Sequence, residues 1–225
     1  MDETVKKTLT RASEGYASNT VLRAAVQAIP YIGGPLDTLL AGKGSSIRLQ
    51  RLEAFVSDLT MKLDRAESVQ PVDEQDLFDL MIEAMEKATR TRLAEKRALY
   101  ANVVAKHVAE GRKLDETEMA LRIVETLDLI HLEILREALQ APVCGEPFEG
   151  HKVIAINEGG SLPNATPVVL TSRLRNWPLE ALRYAASELV ARGLLYDEGI
   201  GRWDSKAMEY LVATDTAHWV NKWLT

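Results

Sequence analysis

The chain has 225 residues, of which 46% are hydrophobic, 27% charged and 6% aromatic, and 33 acidic side chains against 27 basic ones leave a net charge of −6. That length holds one large domain or two small ones, each with its own core, and the composition is that of a folded globular chain. The acidic balance opposes strong non-specific attraction to nucleic acid or an anionic membrane, and a single cysteine, Cys144, excludes an intramolecular disulfide and a cysteine-based zinc site.

The N-terminal "MDETVKKTLTRASEGYASNT" is polar and charged, without the positive flank and continuous apolar block of a secretory signal. With one cysteine in the chain, this predicts a cytoplasmic setting. The most apolar stretch follows, and it contains "AIPYIGGPLDTLLAGKG" at 28–44. A membrane-spanning helix needs about 20 predominantly apolar residues, but Arg23, Gln27 and Asp37 interrupt the run, and Gly33, Gly34 and Pro35 would break it at mid-depth. A phosphate-binding loop needs a glycine where Asp37 stands and a hydroxyl residue where Gly44 stands. The expectation is a buried helical hairpin: a helix capped by Ser18 or Asn19 runs to about Ile29, Pro30 to Pro35 make the bend, and a second helix ends near Gly42. Leu36, Leu39 and Leu40 would then sit in the core. The competing reading is a segment, 20–42, that touches a membrane or a partner.

From Ser45 onward Leu49, Leu52, Val56, Leu59 and Leu63 recur at three and four residues, the stripe of a long amphipathic helix. "SVQPVDEQ" interrupts it, and Asp73 is placed to cap a second helix with Leu77, Met81, Ala84 and Ala88 on one face. Beyond "TRTR" the pattern resumes through Leu93, Tyr100, Val103 or Val104, and His107 or Val108, and ends at Gly111. The pattern leaves one bent helix and two separate helices over 74–111 equally open. "DETE" at 115–118 has the form of a capping box, with Asp115 as the cap. Thr126 is the expected cap of the helix "LDLIHLEILREAL".

Residues 141–170 hold four prolines and four glycines, with two β-prone runs, "HKVIAIN" and "PVVLT". They read as a loop-rich insertion holding a small hairpin. Then come a helix ("PLEALRYAASELVAR"), a strand ("LLYDE"), a turn ("GIG"), a strand ("EYLVAT") and a last helix ("TAHWVNKWL"). With the helix at 127–140, this order resembles a winged helix-turn-helix, most tellingly in "LRYAASELVARGLLYDEG". The resemblance implies that the second of those helices and the wing form a contact face, for DNA or for protein. On the helix Arg183 and Arg192 stand against Glu180 and Glu188. In the wing Arg202 and Lys206 stand beside Asp197, Glu198 and Asp204, so the charges nearly cancel.

The order of the whole chain, with "EKRALYANVVAKHV" ahead of the terminal unit, is similar to bacterial abortive-infection proteins of the Abi-alpha type. Ala101 and Asn102 match that family's passage closely, while Tyr100 stands where a tryptophan is usual. The resemblance implies a bacterial cytoplasmic protein linked to phage defence, and it brings no catalytic residue with it.

Residue chemistry points the same way. His107, His131, His151 and His218 are scattered without metal-ligand spacing, and His107 lies on an apolar helix face as a hydrogen-bonded core residue would. Cys144 and His151, seven residues apart in a Pro/Gly loop, are the sole candidate nucleophile and base. No catalytic, cofactor or metal residue is expected. "KATRTRLAEKR" at 87–97 concentrates Lys87, Arg90, Arg92, Lys96 and Arg97 around an elbow, to be read as a solvated, ion-paired turn or as an anion contact.

The expected architecture is mainly α: a helical bundle with an apolar N-terminal hairpin at 1–112, then a winged-helix-like α+β domain at 113–225. The expected function is a non-enzymatic protein-interaction or regulatory module in bacterial phage defence, acting through a protein partner or self-association. The alternatives are a DNA-binding regulator and a membrane-active effector using 20–42. Candidate contact residues are Arg90, Arg92, Lys96, Arg97, Arg183, Arg192, Arg202, Trp203 and Lys206.

Overall fold

The computed structural model describes residues 43–66, 70–146, 148, 150–156, 167–200 and 206–225, which hold eight helices and four short strands. The apolar hairpin expected at 20–42 and the wing residues Arg202 and Trp203 lie outside the described residues. The chain divides into two units, one running to Glu125 and including Trp223–Thr225, the other Thr126–Lys222. The division thus falls after 125, where the sequence pattern places it after 112.

In the first unit, α1 (Lys43–Asp64), α2 (Glu74–Arg90) and α3 (Ala94–Glu110) pack on one another. The apolar stripe of α1 buries Leu52, Phe55, Val56, Leu59 and Leu63, and α2 buries Leu77, Leu80, Met81, Ala84, Met85 and Ala88. Interleaved apolar faces of this kind are what hold short helices together, since none is stable alone in water. The carboxylate of Asp73 caps α2, accepting from the backbone N–H groups of Gln75 at 2.9 Å and Asp76 at 3.1 Å. Residues 74–111 form two helices. Thr91 turns to an extended backbone while its N–H still bonds Lys87 O, and the new helix starts at Ala94. Gly111 ends α3 at φ +63°, the left-handed conformation that glycine adopts without strain.

The fourth helix, α4 (Leu114–Thr126), corrects the "DETE" reading. Asp115 lies inside its first turn, because Thr117 N–H already bonds Lys113 O at 3.1 Å. Thr117 decides the start: it is fully buried, returns its hydroxyl proton to Lys113 O at 2.9 Å, and offers its oxygen to His107 Nδ1 at 3.0 Å. That tie to α3 also explains why α4 belongs with the first unit.

The second unit opens with α5 (Leu129–Gln140), whose cap is Asp128 and not Thr126. The reason is His131, whose Nδ1 accepts from Asp128 N–H at 3.0 Å, the place usually taken by Glu or Gln in a capping box. The strands β1 (Val153–Ala155), β2 (Val168–Val169), β3 (Leu195–Asp197) and β4 (Tyr210–Ala213) form one sheet in the order β2-β1-β4-β3. The expected hairpin of the two β-prone runs is instead a parallel pair, Ile154 beside Val168, while β4 runs antiparallel to both β1 and β3. Short α6 (Leu170–Arg173) leads to α7 (Leu179–Ala191), and α8 (Asp215–Leu224) closes the chain.

Register sorts the sheet residues into two faces. Ile154, Leu195 and Leu211 share one face, and α5 and α7 pack on the sheet. Val153, Ala155, Tyr210 and Val212 share the other, where Cys144 and Phe148 cover them, the Phe148 and Tyr210 rings 4.8 Å apart. The loop-rich segment therefore supplies a small second core.

Candidate functional site

The basic elbow between α2 and α3 is largely spent on the fold. Arg97 Nη1 donates to Thr91 O at 3.3 Å and Arg92 O at 3.2 Å, and Arg51 Nη1 reaches Thr89 O at 3.1 Å, so two guanidiniums cap the carbonyls freed where α2 ends. Lys96 is only 8% exposed, and its Nζ donates to Glu125 O at 2.7 Å. Lys87 pairs with Glu83 at 3.4 Å and also with Glu125. Arg90 pairs with Glu86 at 3.4 Å and is exposed, as is Arg92. Of the candidate residues here, Arg90 and Arg92 face solvent, while Lys96 and Arg97 turn inward. Beneath the elbow Tyr100 is buried, and burial, with the Glu125 and Glu83 carboxylates adding to it, pushes its phenol pKa up.

His107 is held as a core histidine. Thr117 has given its proton to Lys113 O, so His107 Nδ1 carries the hydrogen toward Thr117, and His107 Nε2 is a buried acceptor with no hydrogen-bond partner. Burial lowers its pKa against the opposing pull of the Asp76 carboxylate and of the Arg112 backbone. It stays neutral at pH 7.

Cys144 and His151 meet through backbone: Cys144 N–H donates to His151 O at 2.8 Å. The thiol is buried in the small second core and His151 is exposed. Among the described residues no group of three or more His, Cys, Asp and Glu side chains is arranged to hold a metal ion. No described helix is long and apolar enough to cross a membrane.

The remaining candidate surface is α7 with the β3–β4 connection. Leu182, Ala185, Ala186 and Leu189 are buried, which leaves Glu180, Arg183 and Tyr184 facing solvent, Tyr184 at 67% exposure. Glu188, half-buried, is shared between that face, where the Tyr184 hydroxyl reaches its Oε1 at 3.4 Å, and the interior. His131 uses Nδ1 as an acceptor, so its Nε2–H donates to Glu188 Oε2 at 2.8 Å and ties α7 to the start of α5. Arg192 is drawn in too, donating to Thr126 O at 3.1 Å and lying 3.7 Å from Glu188 Oε1. At the other end Trp177 Nε1 donates to Glu133 Oε2 at 2.5 Å. Arg173 and Arg175, exposed in the approach to α7, add to the outward charge. Sequence reasoning missed these two, although "TSRLRN" ahead of the helix was the available signal.

The turn after β3 is organised by Asp197, which is 1% exposed. Its Oδ1 accepts from Gly199 N–H at 2.9 Å and its Oδ2 from Met208 N–H at 2.7 Å. The wing acid is therefore a structural staple. Lys206, ahead of β4, is exposed.

The fold and these residues define a mainly helical protein with a small mixed sheet and an outward-facing helix, α7. No protein-family model, no curated protein and no solved structure matches the chain.

Proposed function

We propose that the chain is a non-enzymatic interaction or regulatory module, its second unit built on a winged-helix plan and its contact face formed by α7 and the β3–β4 turn. The observation that carries the reading is the order of elements. Helix α5, strands β1 and β2, helices α6 and α7, then β3 and β4 follow in sequence, and β4 lies between β1 and β3 in the sheet. Apart from the added β2, this order resembles a winged helix-turn-helix, which supports reading α7 as the contact helix. The exposed tyrosine beside Arg183 gives that face the residue types that dominate protein interfaces. A part in bacterial phage defence rests on the Abi-alpha resemblance alone, and a cytoplasmic place rests on that resemblance together with the single cysteine.

A DNA-binding reading stands second, and one observation favours it. Glu188 and Arg192 are both engaged in the fold and offset each other, but Arg173 and Arg175, exposed ahead of α7, join Arg183 against Glu180, so the outer charge is more positive than the sequence count implies. The experiment is one variant, Tyr184→Ala with Arg183→Glu, tested two ways. The protein-partner reading expects a partner co-purified with the full chain to be lost while DNA affinity stays weak and unchanged at physiological salt. A sub-micromolar DNA complex that weakens steeply with salt and disappears in the variant would replace it with the DNA reading.

A further inference from the structure

The elbow between α2 and α3 holds more positive charge than the fold uses. Lys87, Arg90, Arg92, Lys96, Arg97 and, from α1, Arg51 gather there with the carboxylates of Glu83, Glu86, Glu95 and Glu125. The two lysines are engaged, Lys87 by Glu83 and Glu125, Lys96 by the backbone carbonyl of Glu125. Arg90 pairs with Glu86 across the surface. Among the described residues no carboxylate forms an ion pair with Arg51, Arg92 or Arg97. Arg51 and Arg97 hold adjacent places. Nη1 of Arg51 donates to Thr89 O at 3.1 Å and Arg90 O at 3.3 Å, and Nη1 of Arg97 to Thr91 O at 3.3 Å and Arg92 O at 3.2 Å, so two guanidiniums take four consecutive carbonyls. Those bonds use one nitrogen of each, and a guanidinium has three that donate. The Nε of Arg97 is buried with no hydrogen-bond partner, an arrangement that costs stability until an acceptor meets it. Helix α3 begins at the same place without a side-chain cap, and the positive end of its dipole adds to the field.

We propose that the elbow binds the phosphate group of a small molecule through the guanidiniums of Arg51, Arg92 and Arg97. Guanidinium forks match phosphate oxygens two at a time, and the bonds formed draw on the donors that the carbonyls leave unused. A phosphate monoester is close to a dianion at pH 7, which answers the surplus of arginine over carboxylate. Arg92 is exposed, and its own carbonyl is one of the four, so its side chain starts beside the other two. One group fits better than a polymer backbone, because the neighbouring cations Lys87 and Lys96 are engaged and no charged track leads on from the elbow. The proposal is independent of the function assigned to α7.

The test titrates the full-length chain at physiological salt with inorganic phosphate and with phenyl phosphate, read by calorimetry and by the NMR signal of the Arg97 Nε–H. One saturable site is expected, and the Arg97 signal should move along the same binding curve. Tighter binding of the ester assigns an esterified source, and tighter binding of inorganic phosphate the free ion. Arg92→Glu should weaken binding roughly tenfold or more, since it removes charge-assisted bonds and adds repulsion. Arg65→Glu makes the same charge change just past the other end of α1, about 20 Å along the helix from Arg51, and should leave affinity unaltered. Equal weakening by the two variants means diffuse attraction and overturns the site, as does a titration without saturation or an Arg97 signal that stays in place. Duplex DNA bound through Arg92 while both small anions fail also overturns it, in favour of a nucleic-acid backbone. If circular dichroism shows that Arg92→Glu does not fold, the Arg97 signal of the wild-type chain decides alone.

Discussion

Asp197→Ala tests whether the turn after β3 hangs on one buried carboxylate. The substitution removes two hydrogen bonds, from Gly199 N–H at 2.9 Å and Met208 N–H at 2.7 Å. Bonds to a charged acceptor contribute roughly 1.5–3 kcal/mol each, and the relief of no longer burying a charge offsets part of that. The expected net loss is about 2–4 kcal/mol. Asp197→Asn keeps one acceptor but turns an amide N–H toward a backbone donor, so it should cost about 1–3 kcal/mol. Met208 adds an internal control, since its φ of +61° is a left-handed conformation in a non-glycine residue. Relief of about 1–2 kcal/mol there, less roughly 0.5–1 kcal/mol for glycine's freedom in the unfolded chain, should make Met208→Gly stabilising by about 0.5–1 kcal/mol. Urea unfolding read by tryptophan fluorescence suits the second unit, which contains Trp177 and Trp219. With a slope of roughly 1–3 kcal/mol per molar, the alanine variant should lower the midpoint by about 1 M or more. A shift under about 0.2 M would refute the staple.

Stability should depend on pH through His107. Its folded pKa is lowered by burial, so the unfolded chain binds the proton more tightly. The contribution is complete above an unfolded pKa of about 6.5 and is lost as pH falls from there toward the folded value; urea midpoints between pH 7.5 and 5 should fall more for wild type than for His107→Gln. Glu188→Ala leaves the His131 Nε2–H without its acceptor and should cost roughly 1–3 kcal/mol by thermal or urea unfolding. Gly193→Ala, at φ +70° with open space around a new Cβ, should cost about 1 kcal/mol. Gly111→Ala should cost more, since its Cβ would also lie 3.3 Å from the Gln70 side chain. Equal losses at the two glycines would show that the Gln70 contact yields freely.

The helices were legible in the sequence because their signal is local. Leu52, Val56, Leu59 and Leu63 on α1, and Leu77, Met81, Ala84 and Ala88 on α2, recur at the helical period and are buried as that period requires. Asp73 as a cap, and the helix, strand, turn and strand from residue 178 onward, were readable for the same reason. Three things needed the tertiary structure, each because it depends on a residue distant in sequence. The cap of α5 is Asp128, chosen by a histidine that also bonds Glu188. The two β-prone runs pair in parallel because β1 has its other edge on β4, more than fifty residues later. The charges mislead most when merely counted: Lys96, Arg97, Glu188 and Asp197 look like surface charge and are each engaged in the fold. A sequence displays which groups carry charge and how apolar side chains recur. Which charge meets a carbonyl, a histidine or a backbone amide is decided when separate segments pack, because an ionised group remains buried only where a partner meets it.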